Sequence, residues 1–174
     1  MESQDRQDQA QKEPPAQAAP AAAEAVAEEV SPELIEAEAL KAKFLNGVSW
    51  FYWIGGLSIV NIGMGFLERK FIFGLGISEL LQAFALEGAA VSIPLLAAGV
   101  AVSLAFMGLG WQARKGKKAF ILGGLAFYAA DAALLAMESD WISVAFHAYA
   151  GYSIFKGYTA LKTIAAGLAA ADKA

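Results

Sequence analysis

The chain has no cysteine and only one histidine. The first absence removes disulfides, thiolate nucleophiles, iron–sulfur clusters and cysteine-ligated zinc. The second leaves too few imidazoles for the common zinc and haem sites unless other subunits contribute, so neither a metal nor another cofactor is expected. Charge is also scarce. Of 174 residues, 17% are charged and 57% hydrophobic, a balance beyond the roughly 45–50% apolar usage of soluble domains, and that excess points to a bilayer. No glycine-rich loop lies between strand and helix to cradle phosphate, and no basic surface is interleaved with aromatics, so nucleic acid is not an expected partner.

The charge that is present is unevenly placed. Residues 1–40 hold ten acids against Arg6 and Lys12, a net −8, while the rest of the chain holds eleven bases and seven acids, a net +4. Residues 1–30 are rich in Gln, Glu, Ala and Pro and contain no aromatic side chain. Such a composition buries too little apolar area to offset the entropy of ordering, and a disordered acidic tail is expected. Its polar, acidic start differs from the basic and then apolar start of a cleavable signal, so the first membrane segment is expected to direct insertion.

From residue 31 the signals change. Ser31 suits an N-cap, Pro32 the first helical position, and Glu33 and Glu36 the positive end of the helix dipole. A juxtamembrane amphipathic helix over 31–43 follows, with an interruption allowed at Asn46-Gly47. The transmembrane region is placed at 44–167, with residues 168–174 as its C-terminal end. Four apolar stretches, 44–67, 89–113, 119–137 and 141–163, are each long enough for the roughly 20 residues a spanning helix needs. Between the first two, FIFGLGISELLQAFALE (71–87) carries Glu79, Gln82 and Glu87 on one helical sector. Acids are costly within a span, so this segment is expected to be an interfacial or re-entrant helix with Glu79 and Glu87 on a solvated face. The expected fold is therefore an all-α integral membrane protein with four transmembrane helices, one amphipathic helix and a disordered N-terminal tail.

Basic residues near span ends stay cytoplasmic. With four spans and a cytoplasmic N-terminus, nine bases lie inside and two outside, and a five-span arrangement with the N-terminus outside gives the same count. Four spans avoid carrying the acidic tail across the membrane and keep Glu79 and Glu87 near water. The densest basic run, Arg114, Lys115, Lys117 and Lys118, is a topology determinant and a candidate contact for anionic lipid headgroups. Small residues four apart, Gly88 with Ser92, Gly99 with Ser103 and Ala126 with Ala130, mark faces for close helix packing, within this chain, between copies or with other membrane subunits.

Within the oily C-terminal half, Asp131 and His147 flank a short acidic turn, Glu138-Ser139-Asp140. Each lies six residues from the turn-proximal end of its span, about 9 Å below the outer boundary, and the spans are antiparallel neighbours. Asn61 lies six residues from Leu67 and is expected at the same level, and Tyr128 shares the face of Asp131. Asn61, Asp131, His147 and Tyr128 form the candidate intramembrane polar layer. It reads either as structural glue, because a buried carboxyl needs partners, or as part of a proton or ion pathway. Ser58 in GGLS raises a third reading, an intramembrane serine hydrolase. That chemistry needs Ser–His contact and an oxyanion hole, and Ser58 lies about 4.5 Å deeper than His147. The GxSG serine of rhomboid proteases is absent.

The succession FYWIGGLSIVNIG, FIFGLGISELLQAF, RKGKKAFILGGLAFYAAD and DWISVAFHAYAGYSIFKGY resembles small uncharacterised bacterial multi-pass membrane proteins over about residues 46–160. The resemblance implies a bacterial cytoplasmic membrane protein and brings no activity or functional residue. The expected function is thus that of a non-enzymatic membrane component, an accessory subunit or helix-bundle scaffold, with no catalytic residue. A small transporter or proton-coupled channel using Asp131 and His147 is the alternative.

Overall fold

The computed structural model describes residues 31–67, 74–87 and 91–173, so the expected disordered tail, 1–30, lies outside the described residues. All regular structure among them is helical: α1 (Pro32–Gly65), α2 (Gly76–Leu86), α3 (Ile93–Arg114), α4 (Lys118–Met137) and α5 (Trp141–Ala171). By internal contacts the chain divides into two units, Met1–Ile35 and Glu36–Ala174. Of the first, residues 31–35 are described. There the Leu34 N–H donates to Ser31 Oγ at 3.3 Å, as an N-cap requires.

Two helices, α3 and α4, are long and apolar enough to cross a membrane, and only 28% of each apolar window is buried. Helices at the centre of a water-soluble core would be covered on most sides. Here Leu104, Trp111, Leu122, Phe127 and Leu134 face outward instead, as for a helix solvated by lipid. The longer helices α1 and α5 fall short of the same hydropathy measure. They carry Ser58 and Asn61, and His147, Lys156 and Lys162, respectively.

The interruption allowed at Asn46-Gly47 does not occur, and α1 runs unbroken through both the juxtamembrane stretch and the apolar one. Gly47 serves packing there. A Cβ at Gly47 would lie 2.6 Å from Gly157 Cα, and one at Gly157 would lie 2.9 Å from Gly47 Cα, so α1 and α5 meet backbone to backbone. At the C-terminal end, α5 runs on from the expected end of the fourth span at 163 through the alanine-rich stretch to Ala171. The alanines after Thr163 are strong helix formers and carry no stop signal.

Phe51 is the hub of the core of the second unit. Its ring lies 5.0 Å from that of Phe106, and glycines at 110 and 124 leave room for it, since a Cβ at either would come within 2.6 Å of its atoms. Of the small-residue pairs, Gly99 and Ser103 are buried at the contact with α1 and α2, while Ala126 and Ala130 are exposed. Gly88 lies outside the described residues. The α3–α4 turn reverses at Gly116, whose φ of 77° favours glycine. The α4–α5 turn ends at Asp140, which caps α5 by accepting from the Ser143 N–H at 3.1 Å and from Ser143 Oγ at 2.7 Å.

The segment around α2 gives the fold its character. α1 ends at Gly65, yet the first backbone of the next element, Leu75, donates its N–H to Ser58 Oγ at 2.7 Å. Ser58 lies seven residues back along α1, so the chain returns about 10 Å into the bundle before α2 begins. From there α2 climbs alongside α1, passing Asn61 at Glu79 and Ile62 at Gln82. The described backbone thus folds back beside α1 and begins α2 within the bundle. It starts at Gly76 where 71 was expected, and residues 71–73 lie outside the described residues.

Candidate functional site

A helix that begins inside a bundle presents its first N–H groups where no water is at hand, and each needs an acceptor. Side chains of neighbouring helices supply them. Besides the Leu75 N–H on Ser58, the Gly76 N–H donates to Asp131 Oδ2 and the Ile77 N–H to Asp131 Oδ1, each at 2.8 Å. The carboxyl of α4 thus caps α2 across space, at the end where the helix dipole favours negative charge. Glycines admit the backbone to this position. A Cβ at Gly74 would lie 2.7 Å from Asn61 Nδ2, and one at Gly76 would lie 2.8 Å from Leu135 Cγ.

Asp131 also meets His147, whose Nε2 lies 2.9 Å from Oδ2. Both side chains are buried. The other ring nitrogen, Nδ1, lies 2.8 Å from the Ser143 carbonyl oxygen. A carbonyl only accepts, so Nδ1 carries a proton, and one further proton lies between Nε2 and Oδ2. Whether that proton belongs to the imidazolium or to the carboxylic acid, the pair as a whole carries no net charge. This neutrality removes most of the penalty for placing two ionisable groups in a low-dielectric interior. Tyr128 stacks on the imidazole, ring centroids 4.1 Å apart at 19°. It is buried, and its hydroxyl has no hydrogen-bond partner among the described residues.

Asn61 does not join this pair. Its Nδ2 donates to Glu79 Oε1 at 3.0 Å, one turn along α2, and its carbonyl accepts from Gln82 Nε2 at 3.3 Å. The expected common level rested on counting from Leu67, whereas α1 ends at Gly65. Counted from Gly65, Asn61 is four residues from the end of α1 and not six, a difference of about 3 Å, and it is the Ser58 hydroxyl that takes the Leu75 N–H. Glu79, expected on a solvated face, is half-buried against Asn61, while Glu87 is exposed. On the opposite side, Ser78 Oγ reaches Ser103 Oγ at 3.1 Å and donates to the Gly99 carbonyl at 3.3 Å. Side chains or backbone of α1, α3 and α4 therefore all hold α2.

Of this arrangement, Ser78 carried no reading in the sequence, while Gln82 was read only as part of a polar helical sector and Ser103 only as a packing residue. The clue was the GLG of residues 74–76 directly before a helix, where small residues let backbone approach side chains closely. For the hydrolase reading, the Ser58 hydroxyl donates to the Ile54 carbonyl at 2.7 Å and accepts from Leu75, and both imidazole nitrogens of His147 face Ser143 and Asp131. Ser58 and His147 form no dyad. The basic run sits at the α3–α4 turn, with Arg114, Lys115, Lys117 and Lys118 all exposed.

No protein-family model, curated protein or solved structure matches the chain.

Proposed function

We propose that this chain is a non-enzymatic integral membrane component, a four-span helix-bundle scaffold or accessory subunit of the bacterial cytoplasmic membrane, organised around re-entrant α2. One observation carries the reading: the Asp131 carboxyl accepts two backbone N–H groups of α2 while engaging His147. A carboxyl used this way is a structural cap. Four spans, α1 and α5 joining α3 and α4, are supported by the large apolar side chains that α1 and α5 also expose. These include Trp53 and Val60 on α1 and Tyr149, Tyr152 and Phe155 on α5. The bases at the α3–α4 turn set the cytoplasmic end, and the acidic Glu138–Asp140 turn lies at the other.

Reporter fusions at residue 116 and at the N-terminus should both report the cytoplasm. A cytoplasmic 116 with an outside N-terminus would overturn the four-span arrangement in favour of five.

A proton-coupled transporter is the second reading, and a specific pair of observations favours it. A hydrogen bond joins Asp131 and His147, and the Tyr128 hydroxyl, without a partner among the described residues, belongs to the ring stacked on that imidazole. Ionisable groups at membrane depth often mark such paths. In proteoliposomes carrying a pH gradient between about pH 5 and 8, the scaffold reading expects wild type and Asp131→Asn to be equally tight. A leak in wild type that Asp131→Asn abolishes, with the variant still folded, would transfer the proposal to the second reading.

A further inference from the structure

Resting on the membrane-spanning reading, we infer that the α3–α4 turn and the helix segments beside it form a binding surface for the phosphate headgroups of anionic phospholipids. In sequence, Arg114, Lys115, Lys117 and Lys118 are one short run. The fold adds to it from two directions. A Cβ at Gly116 would lie 3.9 Å from Leu161 Cδ1, which brings α5 and exposed Lys162 beside the turn. Leu40 and Phe44 of α1 pack in one cluster with Ala160, Leu161 and Ile164 of α5, so exposed Lys41 and Lys43 belong to the same end. Seven bases from α1, α5 and the turn are gathered there. The acids described on these helix ends, Glu33, Glu36 and Glu38 on α1 and Asp172 at the end of α5, lie further toward the chain termini than these bases.

The second observation concerns how the cations are held. Lys115 Nζ sits 3.3 Å above the Trp111 ring centroid, Lys117 Nζ lies 5.5 Å from that of Phe120, and Arg114 Cζ lies 5.8 Å from that of Tyr52. Each base of the turn except Lys118 rests on an aromatic face one turn or less from apolar helix surface. Trp111 itself is 56% exposed. Indole and phenol rings settle at the headgroup level of a bilayer, and a cation on such a ring is held at that same level. Positive charge is therefore presented in the plane of lipid phosphates, with an apolar edge beneath it for the acyl chains. A soluble anion would use the charge without using that edge.

The test uses the full chain in vesicles and reads Trp111 through quenching by brominated lipid, with Trp111→Phe assigning the signal. At equal mole fraction, brominated phosphatidylglycerol should quench more strongly than brominated phosphatidylcholine. Lys115→Gln with Lys117→Gln should weaken the phosphatidylglycerol preference about 30-fold, at roughly fivefold per base. The pair Lys115→Arg with Lys117→Arg should retain it. Equal quenching by the two lipids in wild type, or an unchanged preference in the glutamine variant, overturns the proposal. Displacement of the preference by millimolar inorganic phosphate overturns it too, by reassigning the surface to free anions. Carbonate extraction of the same membranes separates these outcomes from failure of the membrane reading, because a chain that washes off never spanned the bilayer.

Discussion

Replacing Asp131 by Asn lowers the stability of the purified protein by about 3 kcal/mol, and replacing it by Ala by about 5, as read by denaturant unfolding in mixed micelles. The carboxyl oxygens of Asp131 meet three partners, the N–H groups of Gly76 and Ile77 and the imidazole of His147. An amide has one oxygen to offer. Asn can accept from Ile77 through that oxygen and donate to Nε2 of a neutral His147, but its NH2 then faces the Gly76 N–H, donor against donor. One buried N–H is orphaned and the favourable charge at the start of α2 is lost. Alanine orphans both N–H groups and the imidazole. His147→Ala should cost less than either, because the carboxyl keeps its two backbone donors. In a double-mutant cycle the Asp131 and His147 changes should be non-additive by about 1–3 kcal/mol. A loss below about 1 kcal/mol for Asp131→Ala would mean that α2 is not seated on this carboxyl.

Gly47→Ala destabilises the protein by about 2–3 kcal/mol, although alanine is the better helix former. The added methyl would lie 2.6 Å from Gly157 Cα, 2.8 Å from Gly157 N and 2.9 Å from the Ser153 carbonyl oxygen. All three are backbone atoms, so no rotamer change relieves the contact, and α1 and α5 must separate. Gly56 supplies the control, because a Cβ there meets nothing within 4 Å. Gly56→Ala in the same helix should be neutral or stabilising by up to about 1 kcal/mol. The contrast between the two, measured by the same unfolding assay, decides whether steric contact or glycine's flexibility explains Gly47. Equal effects at both positions would remove the backbone-to-backbone seam.

Much of the helix layout could be read from the chain. The end of α3, both limits of α4 and the start of α5 follow from the α3–α4 bases and the acidic turn, which act locally and leave marks in sequence, whereas α3 starts at Ile93 and not at the expected 89. The approach of Asp131 and His147 was equally readable, since a short turn between apolar helices forces them to be antiparallel and equal spacing from that turn sets a common depth. The third member of the layer was not. Asn61 was placed by counting from an end of α1 that no local signal defines, and the count was two residues too long. Glu79 shows a different limit. An acid on a helical face reads as solvated until a tertiary partner is known, and Asn61 lies 18 residues away. The Gly47 seam was hidden for a related reason, because Asn-Gly reads locally as a break and its partner Gly157 is on the last helix.

The capping of α2 also dictates an order of assembly. The backbone of Gly76 is 55 residues ahead of the carboxyl that receives it, so during synthesis α2 emerges from the ribosome long before α4. Until then, Ser58 is the one side-chain acceptor of the three N–H bonds described at residues 75–77 that has already been made. The seat of α2 is thus completed only when the α4–α5 hairpin arrives, and closing so distant a contact is a late event in folding. A chain stalled before residue 131 would hold a half-helix with no place to begin.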